Sequence, residues 1–290
     1  MSFSSPDFGG IHLDENLRLL AVLAHPDDES LGFGGTLVHY AAEGVETHVV
    51  TATLGQSGRF RGHPQGSPEH PGPDALGALR ERELRAAAEV LGLRSVSLLG
   101  YVDGRLDQAD PREAVGRIVA QVRRVRPQVV LTFDSEGSYG HPDHIAISQF
   151  TTAALVAAAD GAYSGEGAGL PPHAAAKLYF AAWPPTAMAA YEAAFRKLIS
   201  RVDGVDREAR GWPAWAITTV IDTRVCWDTV WRAVSCHESQ VTAYEKLATL
   251  TPELHEALWG WQSYYRAMST VNGGRARETD LFEGLRATRA

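Results

Sequence analysis

Cysteine is the scarcest resource of this chain: two thiols, Cys226 and Cys236, in 290 residues. Two thiols cannot build a zinc site alone, and they do not make a disulfide framework. Positive charge is also short. Against 35 Asp and Glu stand 27 Lys and Arg, a formal net charge of −8. The broad basic footprint of a nucleic-acid-binding domain is therefore missing. No uninterrupted apolar run approaches the roughly 20 residues of a membrane helix. Residues 1–18 lack a basic segment followed by an apolar one, so they do not read as a signal peptide. The glycines of "LGFGG", residues 31–35, are wrongly spaced for dinucleotide binding; they read instead as letting a helix start close to the turn before it. These absences lead to the expectation of a cytoplasmic protein with no nucleic-acid and no membrane partner. Oligomeric state is left open, a homo-oligomer included.

What the chain does have is 44% hydrophobic residues, enough for a sizeable core. Short apolar or β-branched runs at 17–24, 46–54, 95–99 and 128–133 read as strands. Between and after them, residues 30–43, 77–92, 111–126 and 141–159 read as helices. Such alternation predicts an α/β fold: a Rossmann-like, mostly parallel sheet with helices on both faces. Residues 55–76 are rich in Gly and Pro and read as one long loop. Residues 160–215 are less regular, 216–222 suggest a further strand and 224–247 a helix. One domain over 1–290 is expected, with a core at 1–160 and a C-terminal extension, 161–290, completing the site.

Two acidic-histidine clusters follow apolar strands. "AHPDDE" spans 24–29 and "YGHPDH" spans 139–144. Parallel strands would bring both to one sheet edge, where ligands of such sheets bind. Imidazole and carboxylate are good zinc ligands, and three of them with an open position mark a catalytic site. His25, Asp28 and one of the later histidines would form such a set, leaving Asp27 to deprotonate water. Ferrous iron would accept much the same donors. The plainer reading makes Asp27 and Asp28 helix caps.

Together the motifs resemble the LmbE-like, or PIG-L-like, zinc-dependent N-deacetylases, above all the mycothiol-pathway branch. "THVVTATLG", "LRERELRAAAEVLG", "RPQVVLTFD", "CHESQ" and "ETDLFEGL" extend the likeness over nearly the whole chain, most weakly at 160–215. The resemblance implies that His25, Asp28 and His144 bind Zn2+. It implies Asp27 as general base, His141 as a protonated histidine assisting collapse of the intermediate, Asp143 as the carboxylate beside it, and Tyr139 as a residue polarising the carbonyl. Arg80 and Asp103 match substrate-contacting positions. The implied reaction is removal of an N-acetyl group from an N-acetylglucosamine-containing small molecule, of the glucosaminyl-inositol or glucosaminyl-malate type. Three alternatives accompany it: an amidase for thiol S-conjugates, a non-catalytic sugar-binding protein and a phosphoesterase.

Other residues are read as structural. His63 and His70 are solvated loop histidines, although with Arg59 and Arg61 they could receive the aglycone. His237 is either a core residue or a site-lining one. Six tryptophans from Trp212 to Trp261 read as core packing, with an aromatic wall for a sugar as the alternative.

Overall fold

A computed structural model describes residues 16–195, 199–202, 204–208, 210–240, 246–271 and 276–286. Residues 1–15, most of the stretch without a signal-peptide pattern, lie outside the described residues, as do 241–245 of the expected helix 224–247.

The apolar runs form strands β1 (Arg18–Leu23), β2 (Glu46–Thr53), β3 (Ser95–Tyr101), β4 (Val129–Thr132) and β5 (Lys177–Ala181). All five are parallel to their partners among themselves. A hairpin of β6 (Ile199–Val202) and β7 (Val205–Glu208) forms a separate two-stranded sheet. Strands β8 (Thr219–Asp222) and β9 (Trp261–Ser269) complete the main sheet, β9 antiparallel to both neighbours. The order is β3-β2-β1-β4-β5-β9-β8. The chain winds outward from β1 in one direction through β2 and β3, then returns to β4 on the other side. A crevice therefore opens between the carboxyl ends of β1 and β4, the place where doubly wound sheets bind ligands. Both motifs begin there.

Helices α1 (Asp28–Leu31), α2 (Gly34–Ala42), α3 (Pro73–Leu91), α4 (Pro111–Val125), the short turn α5 (Gly137–Gly140) and α6 (Pro142–Ala159) follow the crossovers. Helices α7 (Pro185–Phe195), α8 (Trp227–Ser235) and α9 (Pro252–Trp259) belong to the C-terminal half. Helices α4 and α6 pack on each other, and α3 and α2 both pack on α8. From Leu19 to Ala24 the chain is buried throughout, with Leu19 to Leu23 sealed between the layers. No helix among the described residues is long and apolar enough to cross a membrane.

Three local expectations need correction. The helix read over 30–43 is two helices broken near Phe33. The glycines serve the second one's packing rather than the turn: a Cβ on Gly35 would lie 2.9 Å from Thr223 and one on Gly34 3.2 Å from Val230. The loop read over 55–76 stops at Gly72, because Pro73 occupies the first helical position of α3, where a missing N–H costs nothing. The helix read over 224–247 is short, ending at Ser235 with a separate turn at Glu238–Gln240.

Strands β5 and β9 have no counterpart in the sequence reading, and one buried charge network holds them. Lys177 Nζ donates to Glu278 Oε1 at 2.8 Å and to the Glu283 carbonyl at 2.6 Å. Tyr179 and Thr219 donate to Glu278 Oε2 at 2.7 and 3.0 Å, and Arg266 lies 2.7 Å from Oε1. Burial pushes the Glu278 carboxyl up, but these donors outweigh it and hold it below the usual range. Removing one member of such a buried pair costs about 3–5 kcal/mol. Glu278→Gln is therefore expected to lower unfolding free energy by about that amount in denaturant titration. Since the folded value lies below the unfolded one of about 4.3, the contribution is present above that pH. It fades as pH falls through the folded value, so the gap between wild type and variant narrows in acid.

Candidate metal centre and active site

The first motif turns sharply at the end of β1. Asp27 has φ 101°, ψ −25°, a left-handed conformation that a non-glycine residue holds at a cost of about 1–3 kcal/mol. Neither carboxylate caps α1, so the plain capping reading fails. Asp28 Oδ2 turns back to accept from the amides of His25 at 2.7 Å and Ala24 at 3.2 Å. Asp27 Oδ2 accepts from Arg80 Nη2 at 3.0 Å. The second motif is also strained at its entry, with Ser138 at φ 63°. Its amide is held by Asp134 Oδ1 at 2.8 Å, while Asp134 Oδ2 accepts from Trp212 Nε1 at 2.7 Å.

Across the crevice the donor atoms converge. His25 Nδ1 lies 3.2 Å from His144 Nε2 and 3.7 Å from Asp28 Oδ2. His144 Nε2 lies 3.5 Å from Asp28 Oδ1. Ligands on a tetrahedral metal at about 2.0–2.1 Å are separated by about 3.3 Å. The two histidine nitrogens are spaced as ligands of one cation, and each faces a different oxygen of Asp28. The tautomer of His25 agrees: its Nε2 faces two acceptors, Asp143 Oδ2 at 3.1 Å and Asp103 Oδ1 at 3.2 Å. When the ring is neutral the proton sits on Nε2, which leaves the Nδ1 lone pair turned to His144 and Asp28. Phe133 stacks on the His144 ring, with centroids 3.9 Å apart, and fixes its plane.

Charge balance supports the same fit. Burial lowers the affinity of His25 for a proton, but Asp103, Asp143 and Asp28 overcome it and lift the ring to about 10. Burial, with Asp27 and Glu29 nearby, pushes Asp28 up to about 7. A cluster that draws protons this strongly is one that a dication stabilises. Donor atoms of His141 and of Asp103 with Asp143 also lie within 4.8 Å of His25. The two aspartates occupy the far nitrogen of His25, so they orient the ring as a carboxylate does in a carboxylate–histidine–metal arrangement.

All nine site residues expected from the sequence meet here, but three have other partners than expected. Asp143 does not hold the His141 ring. Its carboxylate serves His25 and accepts from the amides of Gly104 and Leu106 at 2.7 and 3.0 Å; its own amide donates to His141 Nδ1 at 3.2 Å. His141 is thus the N-cap of α6. Burial first, then the charge on His25, lowers His141 to about 4 despite Asp143 and Asp103. With Nδ1 accepting from that amide, a neutral His141 ring carries its proton on Nε2.

Arg80 is 5% exposed. Besides Asp27 it donates to the Pro26 carbonyl at 2.5 Å and the Gly55 carbonyl at 2.9 Å. Gly55 must be glycine: it has φ 62°, and a Cβ there would overlap the guanidinium. Asp103 holds His25 and accepts from the Ser57 amide at 3.0 Å. Burial pushes Asp103 up, but His25 and Arg80 bring it to about 2.

Tyr139 packs edge-on against His141 and His144, with centroids at 5.9 and 5.2 Å. Burial, and then the charge on Asp28, raise its phenol well above the usual value, so it stays protonated. It lines a cavity of about 200 Å³ with Asp27, Asp28, Phe133, His144, Trp183 and Tyr191, among others. Trp183 and Tyr191 were missed by sequence reasoning, because no motif surrounds them. Of the loop residues, His63 is exposed and 3.6 Å from Glu69. His70 bonds the Gly58 carbonyl and the Gly72 amide. Arg59 bonds the Gly62 carbonyl. These contacts are internal to the loop. Of the late tryptophans, Trp227 and Trp259 sandwich His255, whereas Trp215 is 87% exposed.

Known proteins resemble this chain in sequence and in fold. The family model described as PIG-L, GlcNAc-PI de-N-acetylase, matches residues 20–155. A 1D-myo-inositol 2-acetamido-2-deoxy-alpha-D-glucopyranoside deacetylase of Rhodococcus jostii (strain RHA1) is 36% identical over 292 residues, covering 92% of this chain and 98% of the relative. Among solved structures, the conserved protein TT1542 from Thermus thermophilus superposes with a TM-score of 0.61 at 27% identity, over 88% of this chain and 97% of that one. The N,N'-diacetylchitobiose deacetylase from Pyrococcus horikoshii shares the fold, with a TM-score of 0.65 at 19% identity over 88% of this chain and 85% of its own.

Proposed function

We propose that this chain, which belongs to the PIG-L family of de-N-acetylases, is a zinc-dependent hydrolase that releases acetate from an N-acetylglucosamine-containing small molecule of the glucosaminyl-inositol type. One observation carries the reading. His25 Nδ1 and His144 Nε2 lie 3.2 Å apart, an Asp28 oxygen lies 3.5–3.7 Å from each, and Asp27 and His141 stand beside them. Asp27 and His141 offer that site a proton acceptor and a hydrogen-bond donor. The inositol-type substrate is supported by the relative from Rhodococcus jostii, which spans the chain.

His25, Asp28 and His144 would hold the ion. When bound, zinc supplies Lewis-acid polarisation of the amide carbonyl and brings the pKa of water towards roughly 7. Asp27, steered by Arg80, faces the cavity and accepts a proton from the attacking water. As the carbonyl carbon becomes tetrahedral, the oxygen gains negative charge. The Nε2–H of neutral His141 and the protonated phenol of Tyr139 are the donors available to it. A neutral histidine at a helix N-terminus suits that task, because it stabilises charge without first having to hold one. The proton collected by Asp27 passes to the amine nitrogen as the C–N bond breaks. Acetate and a free amine are the products. Trp183 offers an aromatic wall on the cavity for the sugar ring.

Dialysis against a chelator is expected to abolish acetate release from N-acetylglucosaminyl-inositol, and one equivalent of Zn2+ to restore it. Undiminished activity in protein shown metal-free by mass spectrometry would end the zinc assignment.

A further inference from the structure

Behind the catalytic turn lies a buried pair that the chemistry above does not use. Glu29 and His237 are 0% and 1% exposed. His237 Nε2 lies 2.8 Å from Glu29 Oε1, which also accepts from Ser30 Oγ at 2.6 Å. The other oxygen, Oε2, accepts from the amide of Asp27 at 2.9 Å. Asp27 is the residue with the unfavourable backbone, at φ 101°. Left to itself, a non-glycine residue leaves that region. Arg80 grips its carboxylate and the carbonyl before it, and Glu29 grips its amide.

His237 is delivered by "CHESQ", residues 236–240, more than 200 positions from the turn. The same segment fastens the other half of the grip. Ser239 donates its amide and its hydroxyl to the two oxygens of Glu83, at 2.6 Å each. Glu83 lies one helical turn from Arg80 on α3. Ser239 also takes the Arg61 amide through its carbonyl.

We infer that His237, acting through Glu29, is a positioning residue that locks Asp27 in its left-handed conformation so that the carboxylate stays directed into the cavity. The inference rests on the deacetylase reading for its consequence in turnover, but not for its structural content. An imidazole suits the task. It is rigid, its Nε2 reaches Glu29, and it orients that carboxylate so that the second oxygen remains for the Asp27 amide. Burial excludes water as a substitute donor.

The test uses the full chain with His237→Ala and His237→Gln. The glutamine amide nitrogen can occupy nearly the position of Nε2. For His237→Ala, we expect one equivalent of zinc retained, KM within about twofold of wild type, and kcat lowered about tenfold or more. Hydrogen exchange at the Asp27 amide should accelerate in parallel, as its acceptor loses its anchor. His237→Gln should recover most of kcat and of the protection. Loss of zinc with the activity would overturn the inference in favour of a metal-site role. So would unchanged exchange at Asp27 with wild-type kcat. If the alanine variant does not fold, the glutamine variant decides: folded, zinc-loaded and as protected as wild type it supports the inference; folded with an unprotected Asp27 amide it refutes it. Should wild type release no acetate from any acetamide, the deacetylase reading fails while the exchange measurement still decides the positioning role.

Discussion

Asp27→Asn keeps its metal and loses roughly 10²- to 10⁴-fold in turnover, the contribution of a positioned general base. Asparagine is nearly isosteric, and its carbonyl oxygen can still accept from Arg80 Nη2, which lies 3.0 Å from the carboxylate in the wild type. The turn therefore survives, while the proton acceptor does not. His25→Ala and His144→Ala behave in the opposite order. Each removes one of three converging donors, so metal is lost first and turnover with it. Metal content by mass spectrometry, measured beside acetate release on the same preparations, separates the two classes. Near-full activity in Asp27→Asn, or a metal-free Asp27→Asn, would contradict the division between ligand and base.

The second large effect is at His141. Loss of one donor to a developing oxyanion costs about 10²- to 10³-fold in kcat, and His141→Ala is expected to fall in that range. The form of the pH profile carries more information. The ring is lowered to about 4, first by burial and then by His25. Activity that needs the neutral ring is present above that value and falls as pH drops through it. The alkaline side of the profile should then be the same in wild type and His141→Ala. Apparent values in such a cluster belong to the site as a whole, so the comparison of limbs is the informative quantity. If the alkaline limb vanishes with His141, the ring works as an imidazolium acid instead.

The clustered donors were legible because their signal is local. His25 and Asp28 share one turn, His141 and His144 one helix start, and the alternation of strands and helices brings the two to the same edge. Partnerships across the chain were not legible. Arg80 shares a helix with Glu81 and Glu83, yet Arg85 takes Glu81 and Ser239 takes Glu83. The guanidinium reaches Asp27 only because α3 packs beside the first motif. Asp143 could be assigned to His141 by proximity in sequence, but positions two apart on a helix do not face each other. At the start of α6 the amide of Asp143, rather than its carboxylate, points back to the cap. Strand β5 was hidden by Lys177, a polar letter in a largely buried strand whose partner, Glu278, lies 101 positions away. Strand β9, "WQSYYRAMS", lacks a clean alternation because it pairs on both edges with only some of its residues buried. The break of the first long helix at Phe33 was obscured by glycines whose purpose, close contact with Thr223 and Val230, is tertiary.

The most direct test of the account is a comparison of kcat/KM for zinc-loaded wild type across N-acetylglucosaminyl-inositol, N-acetylglucosaminyl-malate, simple N-acetylglucosaminides and an acetyl-lysine peptide, with acetate and free amine both quantified. The predicted result is equimolar acetate and amine, with the inositol glucosaminide turned over most efficiently and the peptide least. A peptide cleaved more efficiently than every glucosaminide, or no acetate from any of them, would contradict the amino-sugar deacetylase assignment.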